Sequence, residues 1–246
     1  MSRFFRTAGE SAFFYPMFVN KLFRFCRWAL GIFFVSSLLS VIALRWVPVY
    51  VTPLMVIRCV EQWSRGERLR LYHSWVPLEE MPPSLPVAVI ASEDQKFYVH
   101  SGFDTQAIGN ALVQRMEGGR RLGGSTISQQ TAKNVFLWPT SSWVRKGFEA
   151  YFTVLIELFW SKQRIMEVYL NSIEMGDGIY GVKAVAEQHF DCEPSQLTRR
   201  NCALIAATLP APLRFSSKTP GPYMRSRTRW ILNQMRHVPS FDMGRH

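Results

Sequence analysis

Ala91-Ser92-Glu93-Asp94-Gln95-Lys96-Phe97-Tyr98-Val99-His100-Ser101-Gly102 sets two adjacent acids where an apolar run, residues 85–90, meets polar sequence. A carboxylate set against apolar neighbours is desolvated and holds its proton more tightly. A general base needs that property, and Glu93 is the candidate. Upstream, Val76-Pro77 and Met81-Pro82-Pro83-Ser84-Leu85-Pro86 mark a boundary, because proline removes a donor and fixes φ. The pattern predicts a helix starting near Pro86, which a first turn tolerates, and running through Val87, Val89, Ile90 and Glu93. Continued, it puts Phe97 on the Glu93 face, four residues on, and Lys96 three residues away, within reach of an ion pair. A bare Glu-Asp pair suits a solvated helix end equally well. The spacing Glu93-Asp94-x-x-Phe97-x-x-His100-x-Gly102 is far more restrictive.

A second stretch, residues 120–134, reads as a loop leading into a helix. Gly123-Gly124 loosens the backbone, and Thr126 with Gln129 fits a capping box. Free N–H groups at such a helix start attract anions. Gln129, Gln130 and Lys133, three and four apart, are expected on one face. With those N–H groups they make a site for a phosphate group, although an ordinary capped helix on a flexible loop has the same outline. A third stretch opens a long helical pattern at Trp143. In it Arg145 and Lys146 lie four and three residues before Glu149, either as surface ion pairs or as a second carboxylate held by two cations in a cleft. Arg145 suits bidentate phosphate contact. A fourth, 161–171, continues in helical period, with Ile165, Val168 and Tyr169 as a core stripe. Gly176, Gly178 and Gly181 then make a turn-rich loop around Tyr180, and residues 182–190 are helical again. Thr198 caps a buried helix over 199–209, stopped by Pro210 and Pro212. The C-terminal stretch is basic (Arg225, Arg227, Arg229, Arg236) and carries no evident motif. No long alternating run argues for a sheet, so the fold class is mainly α.

The remaining composition points to a membrane. Residues 28–44 carry no charge, and Arg45 and Trp46 close the run. A spanning helix needs roughly 17–25 apolar residues, and Trp28 and Trp46 stand where aromatic belts lie. Arg3, Arg6, Lys21, Arg24 and Arg27 precede it against one acid, Glu10, which keeps the N-terminus cytoplasmic. A cleaved signal peptide fits poorly, because Arg45-Trp46-Val47-Pro48 follows in place of small residues. Residues 47–57 are apolar but broken by Pro48 and Pro53. They read as a juxtamembrane connector in preference to an interfacial helix. Residues 58–71 have a mixed, helix-compatible pattern with four arginines, suited to anionic headgroups or to a solvated face. Net charge is +11, suiting anionic lipids, phosphorylated substrates or nucleic acid. A domain carried across the membrane excludes nucleic acid. Cys26, Cys59, Cys192 and Cys202 show neither zinc spacing nor a disulfide framework. A Cys192–Cys202 bridge rests on nearness alone.

Taken together the motifs resemble the peptidoglycan glycosyltransferases, and more closely their monofunctional, membrane-anchored members. Four blocks occur in order between about residues 78 and 212: Glu93-Asp94-x-x-Phe97-x-x-His100-x-Gly102, Gly123-Gly124-Ser125-Thr126-Ile127-Ser128-Gln129-Gln130, Arg145-Lys146-x-x-Glu149 and Lys162-x-x-Ile165-x-Glu167-x-Tyr169-Leu170-Asn171. Ser128, Met166 and His189-Phe190 depart from the usual Thr, Leu and Tyr-Phe without removing a reactive group. The resemblance implies a mainly α, lysozyme-like domain over 78–237. A cytoplasmic tail (1–27), one membrane helix (28–46) and a connector (47–77) precede it, and residues 238–246 follow. The domain would stand on the periplasmic face of the inner membrane.

The resemblance also implies inverting polymerisation of lipid II with release of polyprenyl diphosphate. Glu93 and Glu149 would be catalytic. Asp94, Phe97, His100, Ser125, Thr126, Gln129, Gln130, Lys133, Arg145, Lys146 and Lys162 would meet or support the substrate. The partners implied are lipid II, the lipid-linked glycan chain and the membrane, with room for division or cell-wall synthesis proteins. A divalent cation, Mg2+ or Mn2+, has a place bridging the diphosphate, and no organic cofactor is implied. The competing readings are a lysozyme-like glycan-cleaving enzyme and a membrane-anchored scaffold without activity.

Overall fold

The computed structural model describes residues 8–107, 109, 113 and 124–244, with backbone alone for 8–19. Arg3, Arg6, the Glu10 side chain and residues 120–123 at the head of the second motif lie outside the described residues. The chain divides into two compact units, Met1–Trp46 and Val47–His246.

Among its described residues the first unit holds one helix, α1 (Ala8–Ala43). Its segment Asn20–Ala43, 24 residues, is long and apolar enough to cross a membrane. The apolar helix begins upstream of Trp28 because Lys21, Arg24 and Arg27 do not interrupt it. Arginine and lysine are good helix formers, and their stems can carry the charge outward along the helix. Ser36, Ser37 and Ser40 donate their hydroxyls to the carbonyls of Phe33, Phe34 and Ser36, so their polar atoms are satisfied within the helix.

The second unit begins with α2 (Pro53–Ser64). The Thr52 hydroxyl caps it by accepting from the Met55 N–H at 3.3 Å, and Pro53 occupies the first turn, where its missing donor does no harm. Residues 47–77, expected as a connector, are packed into this unit. Val49, Leu54 and Met55 are buried in it. The helix-compatible reading of residues 58–71 holds only as far as Ser64. Beyond it the chain runs on to a short strand, β1 (Tyr72–His73).

A 3-10 turn at Leu78–Glu80 leads into α3 (Ser84–Glu93). Leu85 to Ala91 are all buried, as befits a helix apolar on every face,. After the partly described stretch come α4 (Ile127–Phe136), α5 (Trp143–Phe159) and α6 (Lys162–Ser172). A hairpin follows, β2 (Glu174–Gly176) and β3 (Ile179–Tyr180). Then come α7 (Gly181–Val185), a π-helical turn at Ala186–Phe190, α8 (Arg199–Thr208) and α9 (Pro222–Gln234). Two packed groups result: α3 lies against α8 and α9, and α4 lies against α5 and α6.

Four local expectations differ from this fold. The first helix stops at Glu93, so Phe97 is not on its face. Asp94 leaves helical geometry at φ −160° because its carboxylate is engaged elsewhere, and Gln95 returns its side-chain amide to the Ala91 carbonyl at 3.2 Å. Lys96 lies near Asp104, at 3.8 Å, and not near Glu93. The helical pattern from Trp143 to Asn171 is two helices, broken at Trp160, where Ser161 caps the second. The loop around Tyr180 belongs to a small sheet of order β1-β3-β2, with β1 parallel and β2 antiparallel to β3. Strands of two or three residues carry no readable alternation. The four cysteines are free.

Asn171 ties the sheet to α6. Its side chain accepts from Val76 N and donates to Val76 O and Glu167 O, each at 2.9 Å. Gly181 sits against it at φ +76°, where an added Cβ would lie 2.4 Å from the Asn171 carbonyl oxygen. Gly181→Ala is therefore expected to destabilise the chain by about 3 kcal/mol, read as a lowered urea midpoint. Gly147→Ala, with open space around it inside α5, should leave that midpoint equal or raised.

Candidate active site

Glu93 ends α3 half-buried, with both carboxyl oxygens occupied. Oε1 accepts from the Ser92 hydroxyl at 3.1 Å and Oε2 from the Gln130 amide at 3.1 Å. Burial raises its pKa. The Gln130 and Ser92 hydrogen bonds and the Arg227 charge oppose that rise, and Asp94 adds to it. The amide of Gln130 is oriented by Tyr169, whose hydroxyl donates to its Oε1 at 3.1 Å. Burial holds that hydroxyl protonated, well above its usual range. With its proton spent on Gln130 Oε1, Tyr169 leaves the Gln130 N–H to face Glu93. Tyr169 is in the core, as its helical stripe predicts.

The rest of the first motif is a brace. The buried Asp94 carboxylate meets His100 Nε2 at 2.9 Å and accepts from Ile127 N at 3.0 Å. Gly102 N–H donates to His100 Nδ1 at 3.1 Å, which leaves the ring proton on Nε2, facing Asp94. Gly102 has φ +88°, and a Cβ there would meet Thr153 at 2.7 Å. Thr126 and Gln129 form the expected capping box of α4, and the Thr126 hydroxyl donates to Gly102 O at 2.7 Å. Lys162 donates to His100 O at 2.8 Å and Glu157 at 2.9 Å, with its ammonium 4.6 Å from the centre of the buried Phe97 ring. Ser128 donates to the same Glu157 oxygen. Asp94, Phe97, His100, Thr126, Gln129 and Lys162 thus satisfy one another inside the fold. They fasten the end of α3 to the start of α4.

The cations come from α4 and α5. Glu149 is buried, with one oxygen on Arg145 Nη1 at 2.6 Å and the other on Lys146 Nζ. Arg145 is itself buried, and its Nε makes no hydrogen bond. The Lys133 ammonium makes no hydrogen bond or ion pair to any described residue. Burial lowers its pKa. Glu149 opposes this, while Arg145 and Lys146 reinforce it. Lys133 lines a cleft of about 210 Å3 together with Gln130, Asn134 and Trp138. Gln130 and Lys133 share that face. Gln129, expected beside them, is turned into the cap of its own helix. Ser125 is exposed just ahead of that helix.

Glu93 and Lys133 are therefore joined through Gln130, which bonds the one and borders the same cleft as the other. Such a site can take a proton at one end and hold negative charge at the other. Among the described residues no three His, Cys, Asp or Glu side chains are placed to hold a metal ion. Glu149 is already paired with two cations.

Three contributors escaped the motif reading. Arg227 on α9 reaches Ser92 Oγ at 3.3 Å and Ser92 O at 3.5 Å. Arg58 on α2 and Glu174 on β2 line the Lys133 cleft. Their distance along the chain left no spacing to read. Arg227 was visible only as one of several basic residues near the C-terminus.

A family model described as "Transglycosylase" matches residues 62–236. A biosynthetic peptidoglycan transglycosylase of Bacteroides thetaiotaomicron is 56% identical over 226 residues, covering 92% of this chain and 91% of its own. Proteins of the same name from Pseudomonas entomophila and Pseudomonas aeruginosa are each 49% identical. They cover 92% and 88% of this chain, and 96% and 91% of their own.

Proposed function

The chain belongs to the transglycosylase family, and on that premise we propose that it polymerises lipid II, with Glu93 as general base and Lys133 receiving the leaving diphosphate. The enzyme is a peptidoglycan glycosyltransferase that builds glycan strands. The observation that carries the finer reading is Gln130, bound to a desolvated carboxylate and set one turn from an ammonium that no described residue engages, at one cleft.

The donor is the growing glycan, joined through its anomeric carbon to a polyprenyl diphosphate. The acceptor is the 4-hydroxyl of an incoming lipid II. That hydroxyl becomes a usable nucleophile as Glu93 takes its proton. Its oxygen bonds to the anomeric carbon from the face opposite the diphosphate, so the centre inverts. The C–O electron pair leaves on the diphosphate, whose new charge Lys133 stabilises where it develops. Arg145 and Lys146, held by Glu149, extend the positive field, and Ser125, exposed ahead of α4, serves as a substrate contact. Asp94, Phe97, His100, Thr126, Gln129 and Lys162 act by holding the wall in place.

α1 would anchor the enzyme, with Lys21, Arg24 and Arg27 keeping its N-terminal end in the cytoplasm. Incubating the detergent-solubilised chain with labelled lipid II should give long β-1,4 strands and free polyprenyl diphosphate. Recovery of lipid II unchanged would defeat the reading.

Arg227 supplies a pH test. Its charge favours the ionised form of Glu93. Arg227→Gln should raise the Glu93 pKa further and move the acid limb of kcat/KM to higher pH, while Arg227→Lys restores it. An unmoved limb would mean that Arg227 acts on packing alone.

A further inference from the structure

The cleft around Lys133 has a part that the four motifs do not supply. Arg58 lies in the middle of α2, upstream of residue 62 where the family match begins, yet it lines this cleft with Lys133 and Glu174. Its Nη1 donates to Glu61 at 2.8 Å, and its Nε stands 3.3 Å from Glu174 Oε1. That Nε is buried without a hydrogen bond, and no described residue accepts from Nη2. Glu174 is fixed from behind by the Tyr180 hydroxyl, which donates to the same Oε1 at 3.3 Å.

Resting on the cleft as the seat of the leaving group, we propose that Arg58 is a second cation for the lipid-linked diphosphate, taking one phosphoryl group while Lys133 takes the other. A diphosphate spreads its charge over two phosphoryl groups, and a single ammonium is a point donor that covers one. A guanidinium offers a planar pair of N–H groups matched to phosphoryl oxygens. Arg58 has donors to spare, and its contact with the partly exposed Glu61 is a weak one that a phosphate can replace. Glu174 holds the guanidinium in the cleft. Val56, Val60 and Trp63, exposed on the opposite side of α2, suit a helix lying at a bilayer surface. That is the level at which a lipid-linked diphosphate is presented.

The test is calorimetric titration of the solubilised full chain with farnesyl diphosphate, farnesyl monophosphate and inorganic diphosphate. The wild type should prefer farnesyl diphosphate to the monophosphate by about tenfold or more, the gain from one added charge-assisted pair. Arg58→Ala should abolish that preference and leave monophosphate binding unchanged, and Arg58→Lys should recover part of it. Wild-type selectivity in Arg58→Ala overturns the proposal. So does wild-type selectivity in Arg58→Lys, which is the deciding variant should the alanine form fail to fold. Inorganic diphosphate binding as tightly as the farnesyl ester would overturn the lipid-linked assignment. If Lys133→Ala also binds diphosphate normally, the fault lies with the underlying reading of the cleft and not with Arg58.

Discussion

Glu93→Gln is expected to lower lipid II polymerisation by about 10²- to 10⁴-fold, the range a positioned general base contributes, with KM little changed. Glutamine keeps the shape. Its carbonyl can accept from Gln130 and its amide can donate to the Ser92 hydroxyl, so the local hydrogen bonds survive. The variant also carries a stability signature. Burial raises the Glu93 pKa. Between the ordinary carboxyl value and the raised one, the native chain holds a proton that the unfolded chain has lost. Stability from this group therefore falls as pH climbs through that window, and above it the full penalty of the buried charge is present. Glu93→Gln should lose that slope and melt no lower than the wild type at neutral pH. Near-complete residual polymerisation would remove Glu93 from the chemistry. A Tm drop that tracked the lost activity would make it a structural residue.

The motifs were legible where function and local structure use the same residues. Thr126 and Gln129 announced their capping box because a cap is a contact across three residues. Glu93 announced its desolvation because the run before it is apolar, and α3 proved buried on all sides. What could not be read was long-range pairing. Asp94 fastens to Ile127, 33 residues on, and that bond ends the helix at Glu93 and carries Phe97 away from it. No window of sequence around Glu93 contains the cause. Arg58 and Arg227 were hidden for the same reason, since one reaches the site from a stretch that reads only as helix-compatible and the other from a basic stretch with no evident motif.

The second large effect falls on Lys133. Lys133→Ala is expected to cut turnover by about 10²- to 10³-fold, comparable to removing one preorganised donor from a developing anion. Stability should change far less, because the Lys133 ammonium has no hydrogen-bond partner among the described residues and its charge is held against burial. Its lowered pKa reverses the sign met at Glu93. Between the lowered and the ordinary lysine value Lys133 is neutral in the native chain and protonated in the unfolded one, so stability rises with pH there. In the alanine variant that slope disappears. The same pKa predicts an alkaline limb in kcat/KM, which reports the free enzyme, with a weaker limb in kcat, where the bound diphosphate holds the ammonium charged. Lys133→Arg, whose guanidinium stays ionised, should move the kcat/KM limb to higher pH. A melting loss that matched the activity loss, or an alkaline limb unmoved by arginine, would return Lys133 to a packing role and leave the diphosphate without its principal cation.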